Sequence, residues 1–185
     1  PTRLREALFK SINLVSIRVL LEVGAGKVLK HVDKFGFNIE KFPRNTQLAI
    51  GGGTMGVAPI DMAQAYAVIA NGGFLVQARI INQVTDQDGD IVFLPERTEV
   101  FSSASSENST NLIEKDELNP LYPMSKPALQ VLDKRNSFIV DSMLQDVIQK
   151  GTGRRARSLK RSDLAGKTGT TDDAQDTWFN GYNSA

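Results

Sequence analysis

Lys167-Thr168-Gly169-Thr170 is the stretch whose residue types could do chemistry together. A lysine ammonium on an edge strand supplies positive potential and donates to nearby hydroxyls. Threonine hydroxyls can hold a carboxylate. A glycine lets a ligand lie against the backbone, and the residue after it can offer its N–H to a developing oxyanion. Together these groups suit serine acyl transfer. A bare Lys-Thr-Gly is weakly specific, but here Leu164-Ala165-Gly166 precedes it and a polar turn leading to Trp178-Phe179 follows, which is the context of an edge strand. Ser11-Ile12-Asn13 is the second candidate, lying between two helical runs. Alone, Ser-x-Asn is explained by a serine N-cap opening the second helix. Followed by Lys-Thr-Gly, it supplies two motifs of a three-motif serine site, Ser-x-x-Lys, Ser-Asp-Asn and Lys-Thr-Gly, with Ile12 at the position least able to do polar chemistry. The nucleophile motif is missing: no serine has a lysine three positions later, and Ser158-Leu159-Lys160 is one residue too short.

Other chemistries are excluded or explained more simply. There is no cysteine, so disulfides, thiolate nucleophiles and Cys-ligated zinc are out. The only histidine is His31, which reads as a surface or half-buried structural residue. Asp86-Gln87-Asp88-Gly89-Asp90 invites a calcium reading, but its glycine falls fourth where an EF-hand loop wants it sixth, so turn chemistry wins and no metal or cofactor is expected. Gly151-Thr152-Gly153-Arg154-Arg155-Ala156-Arg157 resembles a phosphate loop, yet it lacks the Gly-Lys-Ser/Thr ending and follows a helix instead of opening one. A net charge of +1 gives no reason to expect nucleic acid. No run of about 18 apolar residues is present to cross a membrane.

The elements that must position these residues follow from periodicity. Leu4, Ala7 and Leu8, then Leu14, Ile17, Leu20 and Leu21, recur at helical spacing until Gly24 and Gly26 break the pattern. A further helix is predicted from Lys27 to Phe35, closed by Gly36. Gly51-Gly52-Gly53 reads as a flexible turn. Pro59 to Asn71 is the clearest helix, with Met62, Ala65, Tyr66 and Ile69 as its core face. Ile80 to Val84 and Ile91 to Phe93 predict a hairpin with an Asp-Gly turn. Residues 95–135 read as an insertion or long connection, apolar-poor and mobile around Ser102 to Thr110. Phe138 to Ile148 resumes helical spacing through Ile139, Met143 and Val147. Leu164 to Asn183 predicts a closing antiparallel hairpin, with Trp178 and Phe179 as packing residues. The class is mixed helix and sheet (α+β), an antiparallel sheet flanked by helices.

Residues 3–15, from Arg3 to Val15, resemble the second-motif region of the class A (bifunctional) penicillin-binding proteins, and among these the 1A type. So do residues 56–66, from Gly56 to Tyr66, and the run from Gly151 to Thr171. The likeness covers residues 1–94 and 136–185 as a partial transpeptidase domain, with 95–135 less characteristic. It implies a β-lactamase/penicillin-binding transpeptidase-like fold that is incomplete in this chain. Ser11 would relay protons with the lysine of the first motif, and Asn13 would bond that lysine and the substrate amide. Lys167 would polarise Ser11 and steer the anionic peptide. Thr168 and Thr170 would bind the terminal carboxylate of a D-Ala-D-Ala stem peptide or a β-lactam, beside Gly169, and the Thr170 N–H would form half of the oxyanion hole. The resemblance implies a nucleophile upstream of Ser11, a membrane anchor and a glycosyltransferase outside this chain, and a site on the periplasmic face of the inner membrane.

Two other functions compete. A β-lactamase-like hydrolase shares the motif trio, and a non-catalytic binding or scaffolding domain would account for the missing nucleophile. Both ends of the chain read as cut. The fragment alone is expected to be inactive, and edges left by missing strands predict self-association.

Overall fold

The computed structural model describes residues 1–51, 55–100, 125–171 and 174–184. The expectations for Gly52 and Gly53, and for Ser102 to Thr110, lie outside those residues. Three helices open the chain: α1 (Leu4–Phe9), α2 (Asn13–Val23) and α3 (Ala25–Asp33). Gly24, at φ 88°, turns α2 into α3. Gly26, expected to break the pattern as well, lies inside α3, because one left-handed residue is enough to redirect the chain. Leu20, Leu29 and Phe42 are buried around these helices. His31 is exposed, its ring edge-on to Phe35 at 5.4 Å.

Helix α4 (Pro59–Ala70) begins at a proline, where the missing N–H costs nothing, and Asp61 reaches back to the Ala58 N–H at 3.4 Å. Ala65 and the fully buried Val68 lead its inner face, and Met62, Tyr66 and Ile69 are half-buried. Beyond it β1 (Phe74–Leu75) forms a first short ladder. Two strands, β2 (Val84–Thr85) and β3 (Ile91–Phe93), form the expected hairpin. Its turn is closed by Asp86, whose carboxylate accepts the N–H groups of Asp88 (3.0 Å) and Asp90 (2.9 Å). The strand begins only at Val84, while Ile80 and Ile81 are exposed and outside it.

Strand β4 (Thr98–Glu99) pairs in parallel with β5 (Lys126–Pro127), and β6 (Leu129–Gln130) pairs antiparallel with β1. Asp133 then caps α5 (Lys134–Gln149), accepting the Arg135 N–H at 2.9 Å. Its buried seam is Ser137, Leu144, Val147 and Ile148. Val147, at the expected helical spacing, is in the seam, while Ile139 at the same spacing is 51% exposed, because the seam is set by what α5 packs on, namely α1, α4 and the closing hairpin. That hairpin joins β7 (Ala165–Thr170) to β8 (Thr177–Tyr182) with Lys167 opposite Asn180 and Gly169 opposite Trp178. Trp178 and Phe179 are not packed away as expected; they are 36% and 51% exposed. The antiparallel expectation holds for three of four ladders, and among the described residues all are two-stranded.

Candidate active site

The corner between α1 and α2 carries the first site residue. Ser11 sits in the left-handed region at φ 55°. Its N–H bonds the Leu8 carbonyl at 3.0 Å, and the Ile12 N–H bonds the Ala7 carbonyl at 2.9 Å. These two bonds are the Schellman closure of a helix, with serine in the place where glycine is the usual residue. A β-carbon there costs about 1–2 kcal/mol. Capping does not explain it: the residue preceding α2 is Ile12, and no side chain caps that helix. The Ser11 hydroxyl instead accepts a hydrogen bond from Lys167 Nζ at 2.8 Å.

Lys167 comes from β7 and also donates to the Thr168 carbonyl at 2.8 Å. Burial holds its ammonium below the ordinary lysine range. The Thr168 hydroxyl meets the Thr152 hydroxyl at 2.5 Å. Thr152 belongs to the Gly-Thr-Gly turn that ends α5, and its N–H bonds the Phe9 carbonyl at 3.1 Å. A continuous path therefore links the α1 end, the α5 end and β7. Gly169 is exposed at an ordinary φ, and a β-carbon on it would meet only Trp178 Cβ at 3.6 Å. Neither conformation nor packing asks for glycine there. Thr170 is exposed opposite Thr177.

Helix α5 holds both halves of this arrangement. Arg5 of α1 donates to the Ser142 carbonyl (3.0 Å), the Ser142 hydroxyl (3.1 Å) and the Asp146 carboxylate (3.0 Å). Lys150 also pairs with Asp146, at 2.9 Å, and these cations hold its carboxyl below the usual range, Lys150 first. On the other side the Tyr182 hydroxyl of β8 donates to Asp141 at 2.8 Å. Burial, then the Asp141 carboxylate, pushes that phenol well above the ordinary value. Tyr66 packs edge-on against Tyr182 at 6.3 Å, and burial pushes its phenol up to about 12.

A family model described as the penicillin binding protein transpeptidase domain matches residues 1–185. The chain belongs to the penicillin-binding protein transpeptidase family. It is 41% identical to penicillin-binding protein 1A of Pseudomonas aeruginosa, aligning all of this chain with 25% of that protein. It is 36% identical to penicillin-binding protein 1A of Vibrio cholerae over 98% of this chain and 22% of that one. The chain thus spans about a quarter of the length of these relatives. Among solved structures it is similar to penicillin-binding protein 1A from Haemophilus influenzae, with TM-score 0.77 and 30% identity over 98% of this chain and 28% of that one.

In this transpeptidase-family chain the structure brings Ser11 to Lys167, 156 positions away, and Thr152 to Thr168, 16 positions away. Asn13 is exposed at the start of α2, and its side chain makes no hydrogen bond to the described residues. Sequence reasoning missed Thr152. Its only signal was a threonine between two glycines directly after a helix, and nothing in that pattern points at Thr168.

Proposed function

We propose that this chain forms one wall of a peptidoglycan D,D-transpeptidase site that transfers D-Ala-D-Ala stem peptides and is acylated by β-lactams. The 2.8 Å contact between Lys167 Nζ and the Ser11 hydroxyl carries this reading. An ammonium with a depressed proton affinity, held against a hydroxyl that caps nothing, suits a proton relay. In the reaction a serine oxygen attacks the penultimate D-Ala carbonyl. The proton it loses passes through the relay that includes Ser11 to the amine of the departing D-alanine, and an ester replaces the amide. A neighbouring stem amine then attacks that ester, forming the cross-link amide as the ester C–O bond breaks, and the proton the amine loses returns to the serine oxygen. Thr168 and Thr170 hold the substrate carboxylate, Gly169 admits it to the strand, Asn13 bonds the substrate amide, and the Thr170 N–H faces the oxyanion.

This sequence contains no Ser-x-x-Lys, so both the attacking serine and the lysine of that motif are missing and the chain alone forms no acyl-enzyme. Residues 1–94 and 136–185 make up the partial transpeptidase domain, with 95–135 inserted. The family likeness supports a bifunctional synthase with a glycosyltransferase and an anchor at the periplasmic face of the inner membrane. Among the described residues no helix is long and apolar enough to cross a membrane. Exposed Leu14, Leu21, Ile80 and Phe138 support self-association of the chain by itself.

The test is a fusion in which the Ser-x-x-Lys segment of the Pseudomonas aeruginosa relative precedes Pro1. Fluorescent penicillin labels the fusion and not the chain alone, and the label falls sharply in Ser11→Ala and Lys167→Met. A slow loss of label marks a transpeptidase, and rapid turnover a β-lactamase-like hydrolase. Labelling of the chain at one of its own serines, or a folded fusion that takes no label, refutes the assignment.

A further inference from the structure

The Gly151-Thr152-Gly153 turn is held more tightly than a connection requires. The N–H groups of Gly151 (3.1 Å) and Gly153 (3.0 Å) both bond the Val147 carbonyl, and the Thr152 N–H bonds the Phe9 carbonyl. A β-carbon on Gly151 would run into the Phe9 carbonyl, and one on Gly153 would lie 2.8 Å from Ile148 Cδ1. A glycine that leaves no room for a side chain and a second one closely packed on Ile148 thus flank one exposed threonine, whose hydroxyl meets the hydroxyl of Thr168 at 2.5 Å. An exposed hydroxyl pair adds little to stability, because water replaces either partner readily. What it does fix is direction. A threonine hydroxyl has one proton, and a bond donated into its lone pair leaves that proton free to point at an anion.

We propose that Thr152 is a positioning residue for the anionic terminus of the substrate. Its hydroxyl donates to Thr168 Oγ1, so that the Thr168 proton is directed at the incoming carboxylate. Donation into Thr168 also polarises it as a donor, so the two hydroxyls act as a chain. This rests on the carboxylate role given to Thr168 above.

The test titrates the chain with N-acetyl-D-Ala-D-Ala and with its C-terminal amide, following chemical shifts by NMR. The wild-type chain binds the acid more tightly than the amide. Thr152→Val weakens the acid by about 3- to 10-fold, the worth of one neutral hydrogen bond, and leaves the amide unchanged. Thr152→Ser restores the preference, and Thr152→Val adds nothing in a Thr168→Val background. If the valine variant does not fold, Thr152→Ala against Thr152→Ser makes the same comparison. Full acid preference without the Thr152 hydroxyl overturns the proposal and leaves the role of Thr168 intact. Equal weakening of acid and amide overturns it too, as a structural effect. A wild-type chain that binds acid and amide alike sinks the carboxylate reading itself.

Discussion

Ser11 offers the sharpest separation of stability from function. Its φ of 55° places a β-carbon where glycine is preferred, in a corner closed by the bonds to Leu8 and Ala7. Ser11→Ala and Ser11→Gly both remove the hydroxyl and its bond from Lys167, so that loss cancels in comparing them. The alanine keeps the left-handed penalty of about 1–2 kcal/mol. The glycine relieves it but gains about 0.4–1 kcal/mol of freedom in the unfolded chain. The glycine variant should therefore be the more stable by about 1 kcal/mol, or about 2–4 °C in Tm for a chain of this size. Parallel urea and thermal melts followed by circular dichroism measure the difference. Both variants should lose penicillin labelling in the fused protein alike. An alanine variant as stable as the glycine one would mean the corner is not left-handed in solution. A glycine variant that still takes label at the wild-type rate would remove the Ser11 hydroxyl from the chemistry.

Two glycines near the site should respond in opposite ways to alanine. Gly151→Ala forces a methyl against two backbone carbonyls and displaces the Thr152–Phe9 bond, costing about 2–4 kcal/mol in urea melts. Gly169→Ala meets only an ordinary contact and should stay within about 0.5 kcal/mol of wild type while lowering labelling of the fused protein. Alkali gives an independent check on the α4–α5–β8 packing. Tyr66 keeps its proton up to about 12 when folded, whereas an unfolded phenol ionises near 10. Its contribution is whole below about pH 10 and is lost as pH rises toward 12, at most about 2–3 kcal/mol. In a Tyr122→Phe variant, phenolate absorbance should therefore rise together with the loss of helical signal. Early ionisation of either remaining tyrosine with the helix intact would contradict the packing.

Local sequence was a good guide wherever a residue's neighbours along the chain decide its conformation. Proline at the start of α4, the tight turn around Asp86 to Asp90 and the two strands of the closing hairpin were all legible, because their causes lie within a few residues. Trp178 was misjudged, and the exposure of Ile139 was not legible, for the opposite reason. Apolar spacing marks a helix or strand without saying which side another element covers, and α5 turned Ser137 and Leu144 inward instead.

The candidate site divides along the same line. The sequence determined its ingredients: a Ser-x-Asn, a Lys-Thr-Gly-Thr, an order consistent with serine acyl transfer, and the lack of a Ser-x-x-Lys. Only the tertiary structure decided that Ser11 is held left-handed, that its hydroxyl receives Lys167, and that Thr152 meets Thr168. Those contacts join residues 156 and 16 positions apart, and they exist because α5 pins α1 on one side and β7 on the other. A linear pattern specifies which groups are present. Their directions are fixed by backbone hydrogen bonds and close packing that no single stretch contains.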